Sequence, residues 1–285
     1  SSSKGDDASM TILRLDDHFT RLATPLVLTF GNFDGLHRGH VSLIEKTRAI
    51  AAARGHLSVA LTFDPHPVTL FAPQNFHLIM PLAERLEALE NAGIERVAVA
   101  PFTHELAQLS AKEFVCDWLL PRFAVDHVVI GFDTTFGRGR TGSPQEMAQL
   151  GAALGFGVDH VAPVLHDGQP ISSTRIRKAV LAGDMPLAQA LLGRPFRITG
   201  EVLHGAGRGV TLGFPTANLG VPGDSVCPPP GVYAVWATLE GRRLQGALHI
   251  GTNPTFGPGT MTIETHLLDY TGDCYGKRLE LDFVA

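Results

Sequence analysis

At 285 residues the chain is long enough for one large domain or two ordinary ones, each with its own core. A formal net charge of −5 with 44% hydrophobic residues excludes a nucleic-acid coat and a polybasic membrane anchor, so an anionic substrate must be met by a local pocket of donors. Cys116, Cys227 and Cys274 are scattered without CxxC spacing, which argues against a disulfide framework or structural zinc site and points to a reducing cytoplasm.

Residues 1–9 are small and polar and lack the apolar centre of a signal peptide; they read as a non-native extension or disordered arm before a start at Met10. No apolar run reaches the ~20 residues that a membrane-spanning helix needs. From there, strands are expected at 26–30, 58–63, 96–100, 127–130 and 159–163, with helices at 41–53, 82–91, 112–121 and 145–154. Ser110 with Glu113, and Ser143 with Glu146 after Pro144, form capping-box patterns. Such strand–helix alternation implies a parallel sheet covered on both faces, with ligands at the carboxyl ends of its strands. After a short helix near 187–192 the texture changes, at about Gly193. Period-2 strands follow at 233–239, 244–250, 262–268 and 278–284, which predicts a compact all-β barrel or sandwich.

The sharpest local signal is Gly31-Asn32-Phe33-Asp34-Gly35-Leu36-His37-Arg38-Gly39-His40, between the first of these strands and the first helix. Glycines let the backbone approach a ligand, and the helix start offers unpaired N–H groups and a positive dipole end to phosphate. His37 and His40, three apart across Gly39, can both face that phosphate and donate to developing charge. Ser172, Ser173 and Thr174 stand at another helix start, with Arg177 one turn further in; this is either ordinary capping or a second phosphate contact. In the second half, Thr216 and Asn218 are two apart in an extended backbone and can present two oxygens to one hard cation. Glu264 shares a strand face with Thr262 and His266, opposite Ile263, Thr265 and Leu267; it is either solvent-facing or a general base. The Gly205-Ala206-Gly207-Arg208-Gly209 loop is not a P-loop.

The GxxDGxHxGH segment resembles the HxGH signature of the nucleotidyltransferase superfamily. The wider pattern is similar to the bacterial bifunctional riboflavin kinase/FMN adenylyltransferase (FAD synthetase) family over about residues 26–285. Further support comes from Thr62-Phe63-Asp64-Pro65-His66-Pro67, Gly131-Phe132-Asp133 with Phe136-Gly137 and Arg140, and Ile171-Ser172-Ser173-Thr174-Arg175-Ile176-Arg177. Pro215-Thr216-Ala217-Asn218 matches the PTAN motif of riboflavin kinases, and Glu264 falls where that family has its catalytic glutamate, after Gly251-Thr252-Asn253-Pro254-Thr255-Phe256-Gly257.

The resemblance implies an α/β plus all-β protein. A Rossmann-like nucleotidyltransferase domain with a parallel sheet would occupy residues 10–186, and a six-stranded riboflavin-kinase β-barrel residues 187–285. It further implies phosphorylation of riboflavin to FMN and adenylylation of FMN to FAD, with Mg²⁺ and ATP, in the cytoplasm and without nucleic-acid or membrane partners. By the same resemblance His37, His40, Arg177 and Glu264 are catalytic. ATP would be held by Gly31, Phe33, Asp34, Ser172, Ser173, Thr174, Gly205, Arg208, Thr216 and Asn218, with Thr216 and Asn218 at the metal. The flavin would meet Phe63, Asp64, His66, Pro67 and Asp133, though His66 between two prolines reads equally as a turn residue.

Three departures stand out. Thr134-Thr135 follow Asp133 where the family often has an aromatic, and Val210 replaces a common arginine. Family members usually continue into a terminal helix, whereas this sequence stops at Ala285, so a lengthened version is expected to gain stability or flavin retention. Another HxGH nucleotidyltransferase, acting on pantetheine phosphate or choline phosphate, would leave the PTAN segment and Glu264 idle. A non-catalytic flavin- or nucleotide-binding regulator would not need His37, His40 and Glu264 intact. An aminoacyl-tRNA ligase would bring basic tRNA-binding surfaces, which are lacking.

Overall fold

The computed structural model describes residues 11–72, 74, 76–203, 216–252 and 261–284. The chain divides into two compact units, the first holding residues up to 76 and 80–171, the second 77–79 and 172 onward.

The first unit is built on six strands: β1 (Thr11–Arg14), β2 (Leu22–Phe30), β3 (Leu57–Asp64), β4 (Arg96–Pro101), β5 (Phe123–Gly131) and β6 (Gly157–Val161). They form one parallel sheet in the order β1-β4-β3-β2-β5-β6. The apolar runs alternate across it. Leu26, Leu28 and Phe30 join a core with Leu61, Phe114, Leu119 and Met147 on one face, while Val27, Ala60 and Val97 join Ile44, Leu86 and Leu89 on the other. Burial on both faces is why these strands read as continuous hydrophobic stretches.

Between the strands lie α1 (Arg38–Arg54), α2 (Pro67–Phe71), α3 (Leu82–Asn91), α4 (His104–Gln108), α5 (Ala111–Glu113), α6 (Leu120–Arg122) and α7 (Pro144–Leu154). The single helix expected at 112–121 is instead α5, a π-helical stretch over Phe114–Leu119, and α6. Pro121 lacks the N–H that regular i→i−4 bonding would use, which accounts for irregularity at the end of this stretch. The Ser110–Glu113 capping box is complete, and Ser143 accepts from the Glu146 N–H. Short α2 and α4 and strand β1 were not anticipated. Each is five residues or fewer, too brief to show a period. A two-stranded hairpin, β7 (Leu165–His166) with β8 (Gln169–Pro170), turns through Asp167 and Gly168, both at positive φ.

The second unit contains α8 (Ser173–Leu181) and α9 (Met185–Leu192). Its strands are β9 (Arg197–Leu203), β10 (Thr216–Gly220), β11 (Gly231–Leu239), β12 (Arg242–Thr252), β13 (Met261–Leu267) and β14 (Arg278–Phe283). These strands close into an antiparallel barrel in the order β10-β13-β12-β11-β14-β9. Ala217, Leu219, Leu248, Ile250, Ile263, Leu267 and Leu281 are buried in its core. Among the described residues, closure leaves this barrel without an edge strand.

Candidate active sites

Strand β2 lies between β3 and β5, so the chain leaves its carboxyl end where the sheet order reverses, the usual ligand crevice of an open α/β sheet. The Gly31–His40 segment occupies this place, and its backbone is unusual. Phe33 has φ +51° and Leu36 +35°, with Gly35 at +85° between them. Two non-glycine residues in the left-handed region are sterically costly and must be held by their surroundings. Phe33 is fully buried, and the Asp34 carboxylate, buried beneath, accepts the Met80 N–H at 2.9 Å.

The loop delivers His37 as the N-cap of α1. Its Nδ1 accepts the His40 backbone N–H at 3.3 Å, so in the neutral ring the proton resides on Nε2. The His37 and His40 rings stack 3.6 Å apart, and His40 sets its edge against Phe33 at 5.4 Å. A Cβ at Gly39 would come within 3.1–3.2 Å of the His37 ring, a tight contact that the ring could accept only by giving way. Gly31 ends the strand, its N–H bonded to Leu61 O.

The neighbouring strand β3 ends in the second predicted segment. Phe63 is buried edge-on to Phe102, while Asp64 is exposed and precedes a cis bond to Pro65. His66 is buried. Its Nδ1 caps α2 by accepting the Val68 N–H at 3.2 Å, and its ring stacks on Phe76 at 4.3 Å, with Pro67 as the first helical residue. Beyond β5, Asp133 is exposed and Thr134 closes a turn onto Gly131 O. Thr135 Oγ1 accepts from Arg140 Nε at 2.8 Å.

Sequence reading missed Arg85. It lies on α3, is 1% exposed, and donates from Nη1 to Asn32 O at 2.7 Å and from Nη2 to Phe63 O at 3.3 Å. Burial lowers its pKa, opposed by the Asp34 and Asp64 carboxylates. No motif marks a lone arginine on an amphipathic helix. The only sequence signal is that Arg85 precedes Leu86 on the face that also carries Leu89.

In the second unit Ser172 caps α8 by accepting the Arg175 N–H at 3.3 Å, with Ser173 and Thr174 in the first turn. Arg177 Nε donates to His77 O at 2.7 Å. Strand β10 turns Ala217 and Leu219 into the barrel and leaves Thr216 and Asn218 on the other face. Register then brings together residues 46 positions apart, because Asn218 stands directly opposite Glu264, and Glu264 directly opposite His249. Such cross-strand neighbours have Cβ atoms about 4.5–5.5 Å apart. Glu264 and His266 lie on the face opposite buried Ile263, Thr265 and Leu267. His249, exposed and not singled out in the sequence, sits over Gly251, where any Cβ would strike its ring. Hydroxyl and carboxamide oxygens beside a carboxylate suit a hard, oxygen-loving cation such as Mg²⁺. Gly205, Arg208, Val210 and Pro215, together with residues 253–257, lie outside the described residues.

Comparison with known proteins agrees with this division. Residues 20–175 match the family model for FAD synthetase and residues 192–285 that for riboflavin kinase. A bifunctional riboflavin kinase/FMN adenylyltransferase of Pseudomonas fluorescens is 40% identical over 258 residues, covering 90% of this chain and 83% of that protein. One from Escherichia coli K12 is 37% identical over 257 residues, covering 90% and 82%. A solved structure described as a macrolide-efflux protein from Streptococcus pneumoniae has a TM-score of 0.86 at 30% identity, covering 96% of this chain and 90% of that one. Among the described residues here, no helix is long and apolar enough to cross a membrane. The sheet with its histidine stack, the barrel with its Asn218–Glu264 pair and the matches to both family models lead to one conclusion: the chain belongs to the bifunctional riboflavin kinase/FMN adenylyltransferase family.

Proposed function

We propose that this chain phosphorylates riboflavin to FMN with ATP in its barrel and adenylylates FMN to FAD, releasing pyrophosphate, in its Rossmann-like unit. The reading assigns the second step to residues 10–186 and the first to 187–285, in the cytoplasm and without nucleic-acid or membrane partners. The observation that carries it is the presence in one chain of two separate polar constellations, the His37–His40 stack and the Asn218–Glu264 register pair.

For adenylyl transfer, a phosphate oxygen of FMN attacks the α-phosphorus of ATP as the bond to the β-phosphate oxygen breaks. No protein nucleophile is needed, so the side chains position the reactants and stabilise charge. His37 Nδ1 accepts the His40 amide N–H, so the neutral ring carries its proton on Nε2, and this N–H is the group assigned to phosphate. The positive end of the α1 dipole adds to this. On their sequence, Ser172–Thr174 and Arg177 are assigned to phosphate recognition, and Gly31, Phe33 and Asp34 to the nucleotide. Phe63, Asp64, Pro67 and Asp133 are assigned to the flavin. For His66, the buried cap and ring stack favour a structural part in shaping that loop.

For phosphorylation, Glu264 accepts the proton of the riboflavin 5′-hydroxyl as the oxygen bonds to the γ-phosphorus and ADP departs. Thr216 and Asn218 are the residues that would hold Mg²⁺, and Gly205 and Arg208 are assigned to ATP. When bound, Mg²⁺ offsets the charge of the triphosphate.

The test is to incubate the protein with riboflavin, ATP and Mg²⁺ and separate the flavins by chromatography, expecting FMN and then FAD. His40→Ala should stop FAD but not FMN. Glu264→Ala should stop FMN but not FAD made from supplied FMN. A single one of these substitutions abolishing both steps in a folded protein overturns the two-site assignment.

A further inference from the structure

From the geometry around Arg85 we infer that this residue is the positioning residue for adenylyl transfer. Its guanidinium ties the loop after β2 to the carboxyl end of β3, and so sets the nucleotide against the flavin. The inference rests on the reading above, in which the loop after β2 receives ATP and the segment from Phe63 at the end of β3 receives the flavin.

Three observations converge on it. First, the two bonds of Arg85 end on main-chain carbonyls, one in the loop after β2, Asn32 O at 2.7 Å, and one at the carboxyl end of strand β3, Phe63 O at 3.3 Å. Side-chain partners could swing away; carbonyls move only with their backbone. A planar fork that bonds both at once holds the loop after β2 at one separation and one angle from the end of β3, which a point charge on a flexible stem does not. Second, the Asn32 carbonyl belongs to the peptide entering Phe33, whose φ of +51° needs external restraint. Thr62 Oγ1 donates to the same oxygen at 3.2 Å, and the Met80 N–H holds Asp34 at 2.9 Å. The strained turn that carries His37 is thus pinned on both sides of Phe33 from β3 and from the segment entering α3. Third, a cation at 1% exposure is expensive to bury, and apolar packing would suit the inner face of α3 beside Leu86 and Leu89. Burying a guanidinium between that loop and the end of β3, near Asp34 and Asp64, contributes geometry rather than core stability.

A group that sets the relative placement of two bound substrates acts on turnover and leaves the binding of each nearly unchanged. The experiment is steady-state FAD formation from supplied FMN and ATP by the full chain, comparing wild type, Arg85→Met and Arg85→Lys, with riboflavin phosphorylation measured on the same samples. Arg85→Met should lower kcat on the order of 10²-fold with both KM values within about threefold, while FMN formation is unchanged. Arg85→Lys keeps a cation and can bond one carbonyl, so it should recover part of the lost kcat. Wild-type kcat in both variants, or a loss confined to one KM, overturns the proposal. Should Arg85→Met fail to fold, Arg85→Lys decides alone, reduced kcat at unchanged KM supporting the proposal and wild-type kcat overturning it. A wild-type protein that makes no FAD sinks the functional reading and this proposal with it; unaltered Arg85 variants of an FAD-forming protein sink the proposal only.

Discussion

The imidazoles of His37 and His40 lie face to face, 3.6 Å apart and 16° from parallel, and Gly39 between them in the motif leaves room for the stack. A methyl group on Gly39 would press within 3.1 Å of His37 Cε1. Gly39→Ala is therefore expected to push His37 by a few tenths of an ångström and reduce FAD formation severalfold, less than the about 10²-fold of a roughly 1 Å misplacement. Alanine is the better helix former, so α1 should not be weakened. Flavin chromatography beside a thermal melt checks this: slowed adenylylation, retained phosphorylation and an undiminished melting temperature are expected.

Glu264→Gln keeps the shape of the side chain opposite Asn218 but cannot take a proton. Riboflavin phosphorylation should fall by about 10²–10⁴-fold, the usual reach of a general base, with little change in KM for ATP. Adenylylation of supplied FMN should proceed at the wild-type rate. A kinase of normal turnover in this variant removes Glu264 from the chemistry.

His127 is buried on β5 and bonds Asp159 through Nε2 at 3.0 Å, while the other side of its ring covers Gly157. A Cβ at 157 would collide with Nδ1 and Cε1. Gly157→Ala should cost about 1–3 kcal/mol by overpacking. Adding His127→Ala removes the obstacle, so the double variant should be more stable than the sum of the two single losses predicts. Denaturant titration of the four proteins measures this coupling, and strict additivity would show that the ring does not police position 157.

Burial raises the Cys227 thiol from 9.0 to about 11. Between these values the unfolded chain has released the proton and the folded chain has kept it, so stability should fall as pH rises from 9 through 11. Cys227→Ser should flatten that fall. At pH 8, alkylation of Cys227 in the folded protein should be about 100-fold slower than in the unfolded chain, reflecting its smaller thiolate fraction. Peptide mapping after timed alkylation reads it directly.

Much of this protein was legible before any coordinates, because its signals are local. The capping residues Ser110 and Ser143, the two-faced burial of β2 and β3, and the outward alternation of Thr216 and Asn218 follow from helical and extended periodicity within a few residues. Helix α3 falls at 82–91 as expected, and the four period-2 strands after residue 230 agree with expectation to within two residues at each end. The GxxDGxHxGH segment announced a tight turn opening helix α1 with His37 and His40 together, because glycine spacing and histidine spacing are both short-range.

What lay beyond the sequence was partnership at a distance. A period of two says which way Glu264 points, but only barrel closure puts it opposite Asn218 and His249. Likewise the pattern of α3 shows an arginine among leucines, and nothing in it says that two strand-end carbonyls will close around that charge. Conformational preference is a property of neighbours along the chain, whereas strand register and the burial of a cation depend on which distant segments pack together. That choice is made by the whole core at once, and so it was the tertiary structure that decided it.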